Sequence, residues 1–327
     1  MNAGVELGQA IATELVEKCP LCQGEGEMYY DNLADRLYHT QGVWSFRRCV
    51  ECGILWMNPR PVASEIHRLY QEYFTHESDG STINLIGGQR GGWSESIKKY
   101  ILPGRNTDIV AMESMLLGDI TPGRLLDIGC GGGSFLAHMR NLGWDVYGVE
   151  PDRKAAQVAR DKFQLTVYPG ILEIISPPFF DAISLIHVIE HVTSPRDLLG
   201  QCHALLKPHG LLAIATPNLK SLGHLWFKQS WFHLDSPRHF ILYNQKVLEN
   251  LLIKNGYKIR KSATSSRTAS GVYNLSLDIK RFGSASISTS LTRDKKVGRS
   301  LFVFLEHWSK LILADTGEEI AILAEKV

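Results

Sequence analysis

Residues Arg124 to Glu150, RLLDIGCGGGSFLAHMRNLGWDVYGVE, constrain the rest of the chain most. An apolar run (Leu125, Leu126, Ile128) meets Gly129, Gly131, Gly132 and Gly133, and an amphipathic helical pattern (Phe135, Leu136, Met139, Leu142) follows. The order is strand, tight turn, helix N-terminus. Glycines are needed in such a turn because it visits backbone angles closed to residues with side chains, and because a ligand can approach bare backbone closely. Trp144 to Val149 reads as a second strand ending in Glu150. A carboxylate at the carboxyl end of the second strand, about 20 residues past the glycine turn, is where an α/β fold grips ribose hydroxyls.

The glycine spacing narrows the ligand. A dinucleotide fingerprint GxGxxG would place its third glycine at position 134, where Ser134 stands. The pattern is instead Asp127-x-Gly129-x-Gly131-x-Gly133. A carboxylate at that crevice repels a pyrophosphate and attracts a cation, and S-adenosylmethionine carries an ammonium, a sulfonium and a ribose but no phosphate. In these residues the chain resembles the class I S-adenosylmethionine-dependent methyltransferases, with a chance glycine turn or a dinucleotide site as the competing readings. The donor-binding residues expected from the turn and the resemblance are Asp127, Gly129, Cys130, Gly131, Gly133 and Glu150. The resemblance adds main-chain groups of Gly170, Ile171 and Leu172 against adenine, and His187 beside the donor.

The remaining periodicity agrees with this class. Leu165 to Tyr168 is a short third strand, Phe180 to His187 a continuous apolar fourth, Leu211 to Thr216 a fifth and Tyr257 to Ser262 a sixth, with helices over Pro195 to Leu206 and Asn244 to Asn255. The expected fold is an α/β, doubly wound Rossmann-like sheet, mostly parallel, closed by a last antiparallel strand over Glu319 to Glu325. HVIEHV, LKPHG and ATPN are similar to the middle of the methyltransferase class. The expected division is a zinc ribbon over 1–60, a linker and lid helices over 61–118 with a Gly/Ser-rich loop at 78–94, and a donor-binding domain over 119–327 whose helical insertion at about 264–315 caps the substrate.

Six cysteines would allow three disulfides, but four of them form two CxxC pairs, Cys19/Cys22 and Cys49/Cys52, separated by 26 residues. Two such knuckles supply the four-sulfur tetrahedron that zinc prefers, and with both pairs complete no coordination position is open for catalysis. The expectation is a structural Zn2+, against chance thiols or a nucleic-acid-binding ribbon. Nucleic acid is disfavoured because few basic residues cluster there beyond Arg47 and Arg48, and because the whole chain carries a formal charge of +1. Hydrophobic content of 44% and charged content of 21% are those of an ordinary globular protein. No run of ~18 apolar residues exists, as a membrane span requires, and the amino end has no basic lead into an apolar core. A cytoplasmic location follows as an expectation.

Methyl transfer is an in-line displacement at a carbon activated by positive sulfur, so positioning and exclusion of water dominate, and a base helps when the acceptor must lose a proton. The candidates on the carboxyl edge are Glu190 and His191 after strand four, and His233, Asp235 and His239 in WFHLDSPRHF, where Arg238 is a candidate for an anionic substrate group. Quinone-type relatives carry a carboxylate where His187 stands, a residue able to hold a metal, and the substitution here argues against a catalytic magnesium. The chain resembles most the bacterial methyltransferases with an amino-terminal zinc ribbon, associated with polysaccharide, lipopolysaccharide or secondary-metabolite assembly. The resemblance implies a small-molecule acceptor, a hydroxyl of a sugar or related metabolite. The alternatives are RNA or protein methylation guided by the ribbon, and a non-catalytic donor-binding or scaffold protein.

Overall fold

The computed structural model describes residues 11–70, 111–170, 179–287 and 296–327. The lid helices and the loop at 78–94, and the adenine contact at Ile171, fall largely or wholly outside them. At the amino end, β1 (Thr13–Glu14) pairs with β5 (Arg60–Pro61), and between them β2 (Gly26–Leu33), β3 (Trp44–Cys49) and β4 (Leu55–Met57) form an antiparallel meander. By register Trp44, Phe46, Leu55 and Met57 fall on one face of this meander and Trp56 on the other, and all five are almost completely buried. Each such side chain contributes roughly 1.5–3 kcal/mol by leaving water.

The central sheet begins at β6 (Arg124–Ile128), followed by α1 (Ser134–Asn141), β7 (Asp145–Glu150), α2 (Arg153–Phe163) and β8 (Thr166–Pro169). Then come β9 (Phe180–Ile186), α3 (Pro195–Leu205) and β10 (Leu206–Pro217). The short α4 (Leu222–Phe227) and β11 (Ile241–Leu242) precede α5 (Gln245–Lys254) and β12 (Tyr257–Ser265). Two helices, α6 (Ala269–Phe282) and α7 (Lys296–Ile312), separate β12 from β13 (Glu319–Lys326). Local chemistry sets the helix starts: Asp152, Ser221 and Asn244 accept the main-chain N–H groups of Ala155, His224 and Val247 at α2, α4 and α5.

The seven strands run in the order β12-β13-β10-β9-β6-β7-β8. Pairs among β8, β7, β6, β9 and β10 are parallel, while β13 is antiparallel to both β10 and β12. The order reverses between β6 and β9, and it is at the carboxyl ends beside such a reversal that open α/β sheets bind ligands. The strands are buried on both faces, as parallel sheets require: Leu125, Leu126, Ala182, Ile183, Leu185, Leu212 and Ile214 are inaccessible. The LKPHG segment lies within β10, with a register shift between Leu206 and Leu211 that absorbs it.

One contiguous core joins one face of this sheet to the aromatic face of the amino-terminal meander. The meander's sheet is completed by β11, whose Ile241 and Leu242 pair with Trp56 and Leu55. The amino-terminal segment is thus built onto the segment that follows β10. No helix among the described residues is long and apolar enough to cross a membrane.

Candidate functional site

The glycine turn leaves the carboxyl end of β6 with Gly129, Gly131 and Gly133 at positive φ. A Cβ on Gly129 would come within 2.7 Å of Val188 Cγ2, and one on Gly133 within 2.8 Å of Ala159 Cβ. Bare backbone therefore lets the turn lie against two neighbours: α2 behind it, and the segment after β9 in front. Glu150, at the end of β7, is 9% exposed; its two carboxylate oxygens accept from the main-chain N–H of Gly131 and of Asp152, each at 2.8 Å. The acid is thereby fixed under the turn. An ionised carboxylate has about four lone-pair directions, so an oxygen held by one N–H retains geometry for a hydroxyl.

Asp127 is inward-facing on β6, where Ser184 Oγ donates to it at 2.7 Å. Burial pushes its carboxyl up to about 7, and the neighbouring Glu150 adds to the effect. A cation bound in the crevice would favour the ionised form. Cys130 is buried, and burial raises its thiol well above the usual range. It packs beneath the turn: a Cβ on Gly148 would lie 2.6 Å from its Sγ.

Just beyond Val188 the structure gathers five of the sequence candidates. His187 adopts φ +54°, a left-handed angle uncommon for a residue with a side chain, while its N–H donates to Ala215 O. Its Nδ1 faces Glu190 Oε1 at 3.2 Å and its Nε2 faces Glu319 Oε1 at 2.7 Å. Burial opposes a charged ring, but the two carboxylates outweigh it and hold His187 up at about 9. Glu190, completely buried, also accepts from Thr216 Oγ1 at 2.8 Å. Burial would raise its carboxyl, yet the His187 hydrogen bond and charge bring it down to about 2. Arg267 reaches Glu319 through Nη2 at 3.1 Å and Nε at 3.3 Å. His187 is therefore an imidazolium with both protons committed, a fixed cation and not a base.

His191 and His239 differ from it in kind. His191 Nδ1 lies 3.0 Å from Arg238 O, and His239 Nδ1 lies 2.7 Å from His233 O. A carbonyl only accepts, so both rings carry their proton on Nδ1 and keep the Nε2 lone pair when neutral. Tyr70 OH stands 2.9 Å from His191 Nδ1. Burial first, and His239 second, lower His191 to about 4. The two rings meet edge to face with centroids 4.5 Å apart, and Asp235 Oδ2 is 3.9 Å from His239 Nε2. His233 is stacked between His187 and His239, with centroids at 6.1 and 6.4 Å. Its buried Nε2 has no hydrogen-bond partner among the described residues, and burial drives the ring well below its usual pKa. One ligand atom each from Glu190, His191 and His239 lie within 4.8 Å of one another, so this trio has the donor set for a divalent cation.

Arg238 departs from its expected role. Its side chain is fully buried, paired with Asp35 and Asp235, so it is an internal strut and not a ligand for a substrate anion. Glu319 and Arg267 were missed in the sequence. The available signal was that β13, being antiparallel, delivers its first residue to the carboxyl edge, the same edge at which β12 ends.

The four knuckle cysteines converge: Cys19 and Cys52 Sγ are 3.7 Å apart, Cys22 and Cys49 Sγ 3.4 Å, and all four sulfurs lie within 4.8 Å of one another. No disulfide joins them. A tetrahedron with Zn–S of about 2.3 Å has edges of about 3.8 Å, so these thiols fit zinc. Cys52 N donates to Cys49 Sγ at 3.4 Å, and Asn244, the cap of α5, donates to Cys52 O at 3.3 Å.

A family model described as a methyltransferase domain matches residues 101–262. Among curated proteins, a ubiquinone biosynthesis O-methyltransferase of Rhodopseudomonas palustris strain HaA2 is 39% identical over 101 residues, 29% of this chain and 40% of that protein. Another so named, from Alkalilimnicola ehrlichii, is 31% identical over 118 residues, 34% of this chain and 48% of that protein. The chain thus spans less than half the length of these relatives. A solved S-adenosylmethionine-dependent methyltransferase from Mesorhizobium loti is 18% identical, with a TM-score of 0.44 over 67% of this chain and 97% of that one. With the strand order and the glycine turn already described, the family match makes residues 101–262 a class I S-adenosylmethionine-dependent methyltransferase domain.

Proposed function

We propose that the protein moves the methyl group of S-adenosylmethionine to a hydroxyl oxygen of a small-molecule acceptor, held between the carboxyl edge of the sheet and the loop 231–243. The observation that carries this reading is the contact of Val188 with bare Gly129, which sets the imidazole and carboxylate cluster at 187–191 directly against the donor turn. When bound, S-adenosylmethionine supplies a methyl on positively charged sulfur. Glu150 takes the ribose hydroxyls, the turn main chain lines the donor, and Asp127 complements its positive charge. His187 and Arg267 balance the charges of Glu190 and Glu319 in a floor that keeps its geometry as the reaction proceeds. His239 Nε2 accepts the acceptor's proton, with Asp235 Oδ2 at 3.9 Å from it. His191, held down at about 4 by burial and by His239, is a weaker base than an ordinary imidazole.

A sugar-type hydroxyl is the acceptor favoured by the sequence resemblance, and the relatives' name adds hydroxyls of ubiquinone-biosynthesis intermediates. Both are oxygen nucleophiles that must lose a proton, which the His239 arrangement serves. The four cysteines hold a structural zinc whose task is to brace the loop 231–243 through β4 and β11. With the thiols reduced, this reading places the protein in the cytoplasm. The test is transfer of radiolabelled methyl to a panel of both hydroxyl classes and to a cell extract, followed by identification of the product. Label in a small molecule, lost in His239→Asn, supports the reading. Label in RNA or protein, or tight S-adenosylhomocysteine binding without any transfer, replaces it with one of the alternatives.

A further inference from the structure

Helix α7 has two apolar sides. Phe302, Val303, Glu306 and His307 turn inward and are buried. Val297, Leu301, Phe304, Leu305, Trp308 and Ile312 turn outward, with exposures of 85, 54, 37, 36, 40 and 79%. At about 100° per residue these six occupy a single sector of about 100°. Val297, Leu301, Phe304 and Trp308 follow one another at steps of four, three and four, the spacing of a helix–helix seam. Leu225 and Trp226 of α4, 63 and 48% exposed, extend the surface, with Trp226 edge-on to Phe302 at 6.0 Å.

Taken together, the outward side chains present on the order of 800 Å², more than the ~300–600 Å² of the largest patch on a typical monomer. This equals the ~800 Å² that each partner gives to a standard interface. The charge pattern selects the occupant. An interfacial helix borders its apolar face with Lys and Arg to meet anionic headgroups, but here Ser300 and Ser309 border the sector. Arg299 and Lys310 fall about 170° from its midline. A stripe without charge meets a copy of itself across a two-fold axis with no like-charge cost.

We propose that this stripe is the two-fold interface of a homodimer, in which α7 of one protomer packs along α7 of its partner, with Leu225 and Trp226 at the flank. The test is sedimentation equilibrium of the full chain and of Leu301→Glu/Leu305→Glu, with circular dichroism and S-adenosylhomocysteine affinity as controls for folding. Wild type is expected at twice the chain mass at micromolar concentration. The double variant is expected as a folded monomer, its dissociation constant raised at least 100-fold. A monomeric wild type overturns the proposal, whether its stripe proves to bind anionic vesicles, another protein or residues 71–110 of the same chain. So does a dimer indifferent to the double variant. If the variant loses its circular dichroism, Val297→Glu, at the most exposed position of the stripe, takes its place with the same two outcomes.

Discussion

Arg238 and Asp35, 203 positions apart in the chain, meet as a bidentate ion pair with neither side chain reaching solvent, Nη1 to Oδ2 at 2.8 Å and Nη2 to Oδ1 at 2.7 Å. Asp235 receives Arg238 Nε at 2.9 Å, and Tyr38 lies under the guanidinium at 4.7 Å. Asp35 also accepts the main-chain N–H groups of Leu37, Tyr38 and Thr40. One buried cation therefore fastens the loop after β2 to the loop bearing His233 and His239. Breaking a buried pair by removing one charge costs about 3–5 kcal/mol. Asp35→Asn is expected to lower unfolding free energy by about 3 kcal/mol, measured by urea denaturation, and to reduce methyl transfer more than donor affinity.

The cysteine cluster gives a second prediction. Protein purified without chelator is expected to hold one zinc per chain by atomic emission, and Cys22→Ser to hold none. Because β4 pairs with β11, loss of the metal is expected to change the tryptophan fluorescence of Trp56 and Trp231 and to lower the melting temperature. Unchanged fluorescence would separate the cluster from the acceptor loop.

The His187 network predicts a pH profile. A histidine raised from 6.5 to about 9 stabilises fully below 6.5 and loses that contribution as pH rises through 9. A glutamate lowered from 4.5 to about 2 stabilises fully above 4.5 and loses its contribution as pH falls through 2. The contribution of the network is therefore greatest between these two ordinary values. His187→Gln is expected to flatten the alkaline limb of unfolding free energy against pH, followed by chemical denaturation at each pH.

Glu150→Gln tests the donor grip. Hydrogen bonds to a charged group contribute roughly 1.5–3 kcal/mol, so the affinity for S-adenosylhomocysteine is expected to fall roughly 10- to 100-fold by calorimetry. Retained affinity would remove Glu150 from the ribose site.

His239→Asn tests the base. General-base removal typically costs about 10²- to 10⁴-fold in rate, so kcat is expected to drop within that range while donor affinity changes less than about twofold. His191→Asn is expected to be milder.

The glycine turn, the acid ending the second strand and the order of strands were legible because each is fixed by a few neighbouring residues. Positive φ at Gly129 and Gly133 disfavours a side chain whatever surrounds it, and an apolar run such as Phe180 to His187 reads as a buried strand from its own composition. The paired knuckles were legible for the same reason: two thiolates on one tight turn leave little choice of ligand.

What the sequence by itself determined, then, was the Rossmann-like frame, its donor edge and the convergence of four sulfurs. The tertiary structure decided that Arg238 braces and does not bind, that His187 is a cation clamped by Glu190 and Glu319, and that β11 joins the amino-terminal sheet. Those outcomes depend on partners as far as 132 residues away for His187 and 203 for Arg238, and on which strand β11 finds beside it. Backbone sterics and periodicity act over a single turn or strand, whereas burial decides which charges must find one another, and burial exists only once the layers have packed.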